Sequence, residues 1–197
     1  YEADLDQSGL SVLGIRPLLW KNGWPIAGDK FKEGTYEIES ERRGYALELA
    51  VDFVRMQGGM RGFFNRNNDE PVKPIPSQKL ADVINTWPTG DINVRIGDYM
   101  FRPHQKWTIT AVPDAGGYLG GPYYKIVIEG TERALAATAD AEIITVPTFT
   151  GVPEQLWRID QLTDGTYRIM PKVVPNSKEE LALVSSGDST PTLAKFD

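Results

Sequence analysis

A three-part pattern that returns along the chain constrains its fold more than any other feature. Tyr-x-Ile occurs at Tyr36/Ile38, Tyr124/Ile126 and Tyr167/Ile169. Each copy is followed by Ala-Leu, at Ala46-Leu47, Ala134-Leu135 and Ala182-Leu183. Gln-x-Trp-x-Ile closes the unit twice, as Gln105/Trp107/Ile109 and Gln155/Trp157/Ile159, with the tryptophans 50 residues apart. Alternation of this kind marks half-buried strands. A period of about 40 to 50 residues marks a supersecondary unit that cannot bury its apolar face alone. Three copies are too few to close a propeller. They fit a threefold barrel capped by hairpins, in which closure removes exposed strand edges. The 19 glycines and 14 prolines suit many short strands joined by turns.

Within such a barrel the glutamine and tryptophan have structural work. The indole supplies a large apolar body for the shared core. The glutamine amide satisfies backbone groups where strands bend at a corner. Gln-x-Trp is therefore read first as core and corner, not as a ligand contact.

Gln-x-Trp following Tyr-x-Ile and Ala-Leu resembles the ricin-type β-trefoil lectin, the family 13 type of carbohydrate-binding module, over roughly residues 34–197. The resemblance implies an all-β fold, a β-trefoil of three pseudo-repeats spanning 29–197. Two departures stand out. "GTYRIM", "LALVSS" and "TLAKFD" of the third repeat are followed by no Gln-x-Trp in this sequence. The first repeat is swollen: Tyr36 to Trp107 is 71 residues, against 33 from Tyr124 to Trp157. The sequence places the extra length, about 38 residues, within about 57–104. It is rich in Gly, Asn and Pro, then carries "KLADVINTWP", which reads as a short helix.

"LSVLGIRPLLWKNGWPIAG" (Leu10 to Gly28) stands outside this period. It reads as strands Leu10–Trp20 and Trp24–Ala27 joined at Lys21-Asn22-Gly23, since Asn-Gly between apolar runs is a hairpin signal. Leu13-Gly14-Ile15-Arg16-Pro17, with Trp20 and Gly23-Trp24-Pro25, resembles the last blade of the five-bladed propeller of family 43 glycoside hydrolases, in their arabinan-degrading members. The resemblance implies that 1–28 is the end of a catalytic propeller domain of the same parent chain. That family's acidic trio sits on earlier blades, and no position here receives it, so no catalytic residue is assigned.

Charge and composition narrow the partners. The net charge of −6 argues against nucleic acid, whose binders carry a basic face. No apolar run approaches the roughly 18 residues needed to span a bilayer, so membrane insertion is not expected. The chain has no cysteine, which removes disulfides and thiolate sites. Asp4, Asp6 and Asn67-Asn68-Asp69-Glu70 lack the spacing of a calcium loop. His104, the only histidine, makes neither a triad nor a zinc site. Gly116–Gly121 has the glycines of a phosphate loop without its lysine or helix and reads as a turn. No metal and no cofactor is expected.

The lectin resemblance implies one shallow sugar pocket per repeat, built from an acidic acceptor and a stacking ring. The sequence offers Asp140 with Phe149 in the second repeat, Asp188 with Phe196 in the third, and Glu48 or Asp52 in the first. Asp140 and Phe149 are expected at one end of a hairpin with its turn near Ala141. The bland alternative makes these acids turn residues and the phenylalanines packing. Of the insert's aromatics, Phe63, Phe64, Trp87, Tyr99 and Phe101 either pack it onto the trefoil or face a sugar or a catalytic domain.

The expectation is a non-catalytic carbohydrate-binding trefoil of a secreted or periplasmic family 43 hydrolase acting on arabinose-containing plant polysaccharide. One alternative is a trefoil that buttresses the propeller without binding sugar. A last one, hydrolysis by a carboxylate pair such as Asp140 and Glu154, is weak, because 27 acids make chance pairs easy to find.

Overall fold

The computed structural model describes residues 2–4, 10–12, 16–40, 44–51, 79–118, 121–186 and 190–196. Asp6, Leu13–Ile15, Asp52, Phe63, Phe64, Asn67–Glu70 and Asp188 lie outside them. Among the described residues, seventeen short strands carry the fold. They are β1 (Glu2–Asp4), β2 (Leu10–Val12), β3 (Leu18–Lys21), β4 (Trp24–Ala27), β5 (Gly34–Tyr36), β6 (Tyr45–Leu49), β7 (Ile92–Asp98), β8 (Trp107–Ala111) and β9 (Gly117–Tyr118). Then follow β10 (Gly121–Pro122), β11 (Tyr124–Ile128), β12 (Ala134–Ala137), β13 (Ile143–Val146), β14 (Trp157–Gln161), β15 (Tyr167–Pro171), β16 (Ala182–Ser186) and β17 (Thr190–Ala194).

The Tyr-x-Ile and Gln-x-Trp strands alternate through a curled sheet in the order β5, β8, β11, β14, β15. Tyr36 pairs with Trp107 and Tyr124 with Trp157, so the repeats share one register. The Ala-Leu strands form the caps: β6 with β7, β12 with β13, β16 with β17. Their leucines are equivalent, opposite Ile96, Thr145 and Leu193 in turn.

Both tryptophans are fully buried, as a shared core requires. Each indole N–H donates to the carbonyl of its cap leucine, Trp107 to Leu47 at 2.9 Å and Trp157 to Leu135 at 3.0 Å. Ile126, Ile128, Leu47, Leu49 and Leu135 fill the space between them.

Phe31 closes one end of the barrel. Its ring meets all three tyrosines of the repeated motif, Tyr36, Tyr124 and Tyr167, at centroid distances of 5.2, 5.3 and 5.6 Å. These tilted and edge contacts suit the ring quadrupoles.

The short helix read in "KLADVINTWP" forms as α1 (Leu80–Val83), continued by a 3-10 turn over Ile84–Thr86. Val83 and Trp87 are buried against the core. Arg133, itself buried, donates to the Pro88 and Gly90 carbonyls at 2.9 and 2.8 Å and ties this segment to the second cap. The insert is narrower than the expected 57–104, because 92–98 forms β7, hydrogen-bonded to β6 and β13. The extra length lies between β6 and β7.

The expected hairpin turn forms: Asn22 and Gly23 both have positive φ, 51° and 78°, as a tight two-residue hairpin turn needs. The single strand expected over Leu10–Trp20 does not. Leu10–Val12 pairs with Glu2–Asp4, and Leu18–Lys21 pairs with Trp24–Ala27. Pro17, with no N–H to give a ladder, precedes the second piece. The β3–β4 hairpin is held at its base: Gly28 N donates to Pro17 O (2.8 Å), Asp29 N to Gln161 Oε1 (2.7 Å), and Arg16 pairs with Asp29 (3.0 Å).

Candidate functional site

The corner glutamines do the work expected of them. Gln155 Oε1 accepts from the Thr150 backbone N–H at 2.7 Å. Gln105 Oε1 accepts from Met100 N at 2.9 Å, and its Nε2 donates to Asp98 O and to Glu48 Oε2, both at 2.7 Å. Each amide thus fixes the loop that enters its own tryptophan strand.

Glu48, the acid that follows Ala-Leu in the first repeat, is buried. Its carboxylate takes Arg95 Nε at 2.7 Å and Gln105 Nε2, and His104 Nε2 lies 3.4 Å away without hydrogen-bond geometry. Burial by itself would raise this carboxyl, but interactions with His104 and Arg95 outweigh it and hold the group below its ordinary value. The cap backbone also crowds it. A Cβ on Gly97 would stand 2.5 Å from Glu48 Oε1. An acceptor this enclosed has no room for a sugar hydroxyl, so Glu48 organises the corner.

In the second repeat the structure separates the expected pair. The β12–β13 turn runs through Thr138–Glu142, with Ala141 at positive φ and Asp140 exposed on it. Phe149 lies past the opposite end, where its N–H donates to Glu132 O. The ladder between them spans Ala137↔Ile143 to Ala134↔Val146, about 10 Å of strand on its own. Phe149 is half-buried beneath Lys125, whose Nζ is 5.5 Å from the ring centroid. In the third repeat Phe196 is exposed with the Arg168 guanidinium 5.2 Å from its centroid.

The loop between β7 and the first Gln-x-Trp holds a different arrangement. The Tyr99 and Phe101 rings are in tilted contact, 4.6 Å between centroids at 51°, with Tyr99 half-buried. Phe101 is 75% exposed, and Met100 beside it 56%. Phe101 has φ +56°, a conformation that bulky residues adopt at a cost of order 1–3 kcal/mol and that tends to mark functional loops. The Tyr99 hydroxyl donates to the Glu37 carboxylate. Burial first, then Glu37, push the phenol up to about 12, so it stays a donor at any physiological pH. The outward position between Tyr36 and Ile38 is where alternation puts Glu37. That alternation is the signal by which it was legible, though only the fold brings it to Tyr99. Among the described residues, no group of three or more His, Asp or Glu is placed to hold a metal ion, and no helix is long and apolar enough to cross a membrane.

Comparison with known proteins agrees with this architecture. Residues 103–192 match the ricin-type beta-trefoil lectin domain-like family, so this stretch is similar to that family and the trefoil fold read from the strands agrees with it. A solved chain from a study of the structure and mode of action of a mosquitocidal holotoxin superposes with a TM-score of 0.55 at 15% identity, over 88% of this chain. At that identity the likeness is one of fold. This chain spans 17% of the length of that neighbour. No curated protein matches.

Proposed function

We propose that the chain is a carbohydrate-binding trefoil and that the first repeat holds its sugar, on the Tyr99–Phe101 platform. The observation that carries this is an exposed Phe101 ring packed at a tilt against the half-buried Tyr99 on a strained loop, beside a carboxylate and anchored by the corner glutamine. A sugar's C–H face packs on such a ring, while carboxylates and hydroxyls take its O–H groups. The finer reading follows the sequence resemblance: 1–28 belongs to the catalytic propeller of a secreted or periplasmic family 43 hydrolase. The trefoil then holds that enzyme on arabinose-containing polysaccharide, where tethering makes even weak affinity useful. Electrophoresis through gels containing arabinan, galactan or other plant polysaccharides tests it. Retention on arabinan is expected for the intact chain and its loss for Phe101→Ala, with stability unchanged within about 0.5 kcal/mol, as for a surface substitution. Retention on none of them removes the reading.

The buttress reading draws on the β3–β4 hairpin. Leu18 and Trp20 lie exposed on one face and Trp24, 77% exposed, with Ile26 on the other. A two-stranded ribbon apolar on both sides is suited to burial in a neighbouring domain.

A further inference from the structure

The aromatic loop and the stretch that faces it are pinned to the same cap. Leu47 N donates to Ile38 O at 2.8 Å and Ser40 N to Tyr45 O at 3.0 Å, which fixes the backbone carrying Glu37 and Glu39. Tyr99 N donates to Gly44 O at 2.8 Å and Met100 N to Gln105 Oε1 at 2.9 Å, which fixes the rings. Glu37 and Phe101 are thus each held in contact with Tyr99 before any ligand arrives, and groups set in place beforehand lose little freedom on binding.

The proton of the Tyr99 hydroxyl decides what this place offers. It is given to Glu37, whose side chain is exposed. Burial first, then Glu37 and Glu39, push the phenol up to about 12, so the proton stays on it. Both charges acting in that direction are carboxylates. An ionised carboxylate only accepts hydrogen bonds, and a phenol oxygen whose proton is already bonded can only accept again. Beside the Phe101 ring this pair therefore presents acceptors. Arg102, the next residue, is half-buried and has a partner of its own.

Resting on the reading that this platform holds a sugar, we propose that Glu37 determines which units it admits: uncharged sugars with a free pair of adjacent hydroxyls, not uronates or O-alkylated units. The ring takes the C–H face, and the two hydroxyls donate to the open lone pairs of Glu37 and Tyr99 Oη. Bonds to an ionised acceptor are the strong ones. A uronate brings a further carboxylate against Glu37 and Glu39, and an ether oxygen sets acceptor against acceptor, so both are turned away by repulsion and by polar groups left unpaired. Tyr99 is a positioning residue here, acting through the carboxylate it orients.

Saturation-transfer NMR titrations of the chain with arabinotriose, its O-methylated ether and trigalacturonate test this. The parent should bind arabinotriose, and the other two at least about tenfold more weakly. Glu37→Gln removes the charge and adds a donor. It should weaken arabinotriose about tenfold and bring trigalacturonate to within about threefold of it, with the melting temperature of the parent. Tyr99→Phe keeps the ring contact and the Glu37 charge, so it should weaken arabinotriose while still rejecting trigalacturonate. Equal binding of the methylated sugar, or unchanged selectivity in Glu37→Gln, with Phe101→Ala still abolishing binding, would overturn the role of Glu37 and leave the platform standing. Binding of none of the three sugars by the parent, or binding that Phe101→Ala does not touch, would remove both.

Discussion

Trp157→Ala is the sharpest probe of the threefold core. The side chain is fully buried, and its N–H is bonded to the Leu135 carbonyl at 3.0 Å. Removing it takes apolar surface out of the centre and leaves a cavity that neighbours anchored by three caps cannot collapse into. Such truncations cost about 3–5 kcal/mol, a large part of the 5–15 kcal/mol typical of a whole domain. For a chain of this length about 2–4 °C of melting temperature goes with each kcal/mol. The expected fall is therefore about 6–20 °C.

Trp157→Phe separates the two contributions. It keeps most of the ring and loses the donor, leaving a buried carbonyl without its indole partner at a cost of about 1–3 kcal/mol. Trp24→Ser is the control. That indole is exposed, and the change should stay within about 0.5 kcal/mol. Urea and thermal unfolding followed by far-ultraviolet circular dichroism give all three numbers. A loss below about 1 kcal/mol for Trp157→Ala, or equal losses for Ala and Phe, would refute the account of a packed indole with a bonded N–H.

Glu48 sets a pH dependence. Its folded-state carboxyl lies below the ordinary 4.5, so its contribution is fully present above that value and is lost as pH falls through the folded value. Thermal melts at pH 7 and pH 3 should show Glu48→Gln less stable than the parent at pH 7, with the gap closing in acid; a gap that persists would contradict the charged cluster. Phe31→Ala removes the plug shared by three tyrosines and should cost about 2 kcal/mol in urea unfolding, roughly half of a fully buried Phe→Ala. A change under about 0.5 kcal/mol would show residues 29–33 to be a loose lead-in.

The fold was legible where one residue type answers to one physical demand. Buried indoles, alternating Tyr-x-Ile and the Asn-Gly turn are local signals, and each recurs or stands between apolar runs. Ile92, Val94 and Ile96 also alternate, and that signal marks β7 inside what the spacing alone assigns to the insert. The site was less legible because it depends on register and distant partners. Asp140 and Phe149 are nine residues apart on one hairpin, but the turn at Thr138–Glu142 sends them to opposite ends. Glu48 looks like a free acceptor until Arg95, 47 residues on, arrives across the strand pair. The exposure of Phe101 and its positive φ come from a loop pinned by Gln105, which no periodicity reports.

The same contrast explains why the repeats agree in their cores and differ at their corners. The indole, the cap leucine carbonyl and the tyrosine meet around the common centre, where a change in one repeat disturbs the other two. The residue after the cap leucine does not. It is Glu48, Ala136 and Val184 in turn. Glu48 takes an arginine and has a histidine beside it, and there Gln105 bonds the acid as well as its own loop, while among the described residues the Gln155 amide bonds Thr150 alone. That extra anchoring lies directly beneath Met100 and the strained aromatic loop. On the function proposed above, a single rigid platform would hold one sugar unit at a time, and retention on a polymer would rest on several such contacts being linked, because linked weak sites gain through effective concentration what one shallow contact lacks.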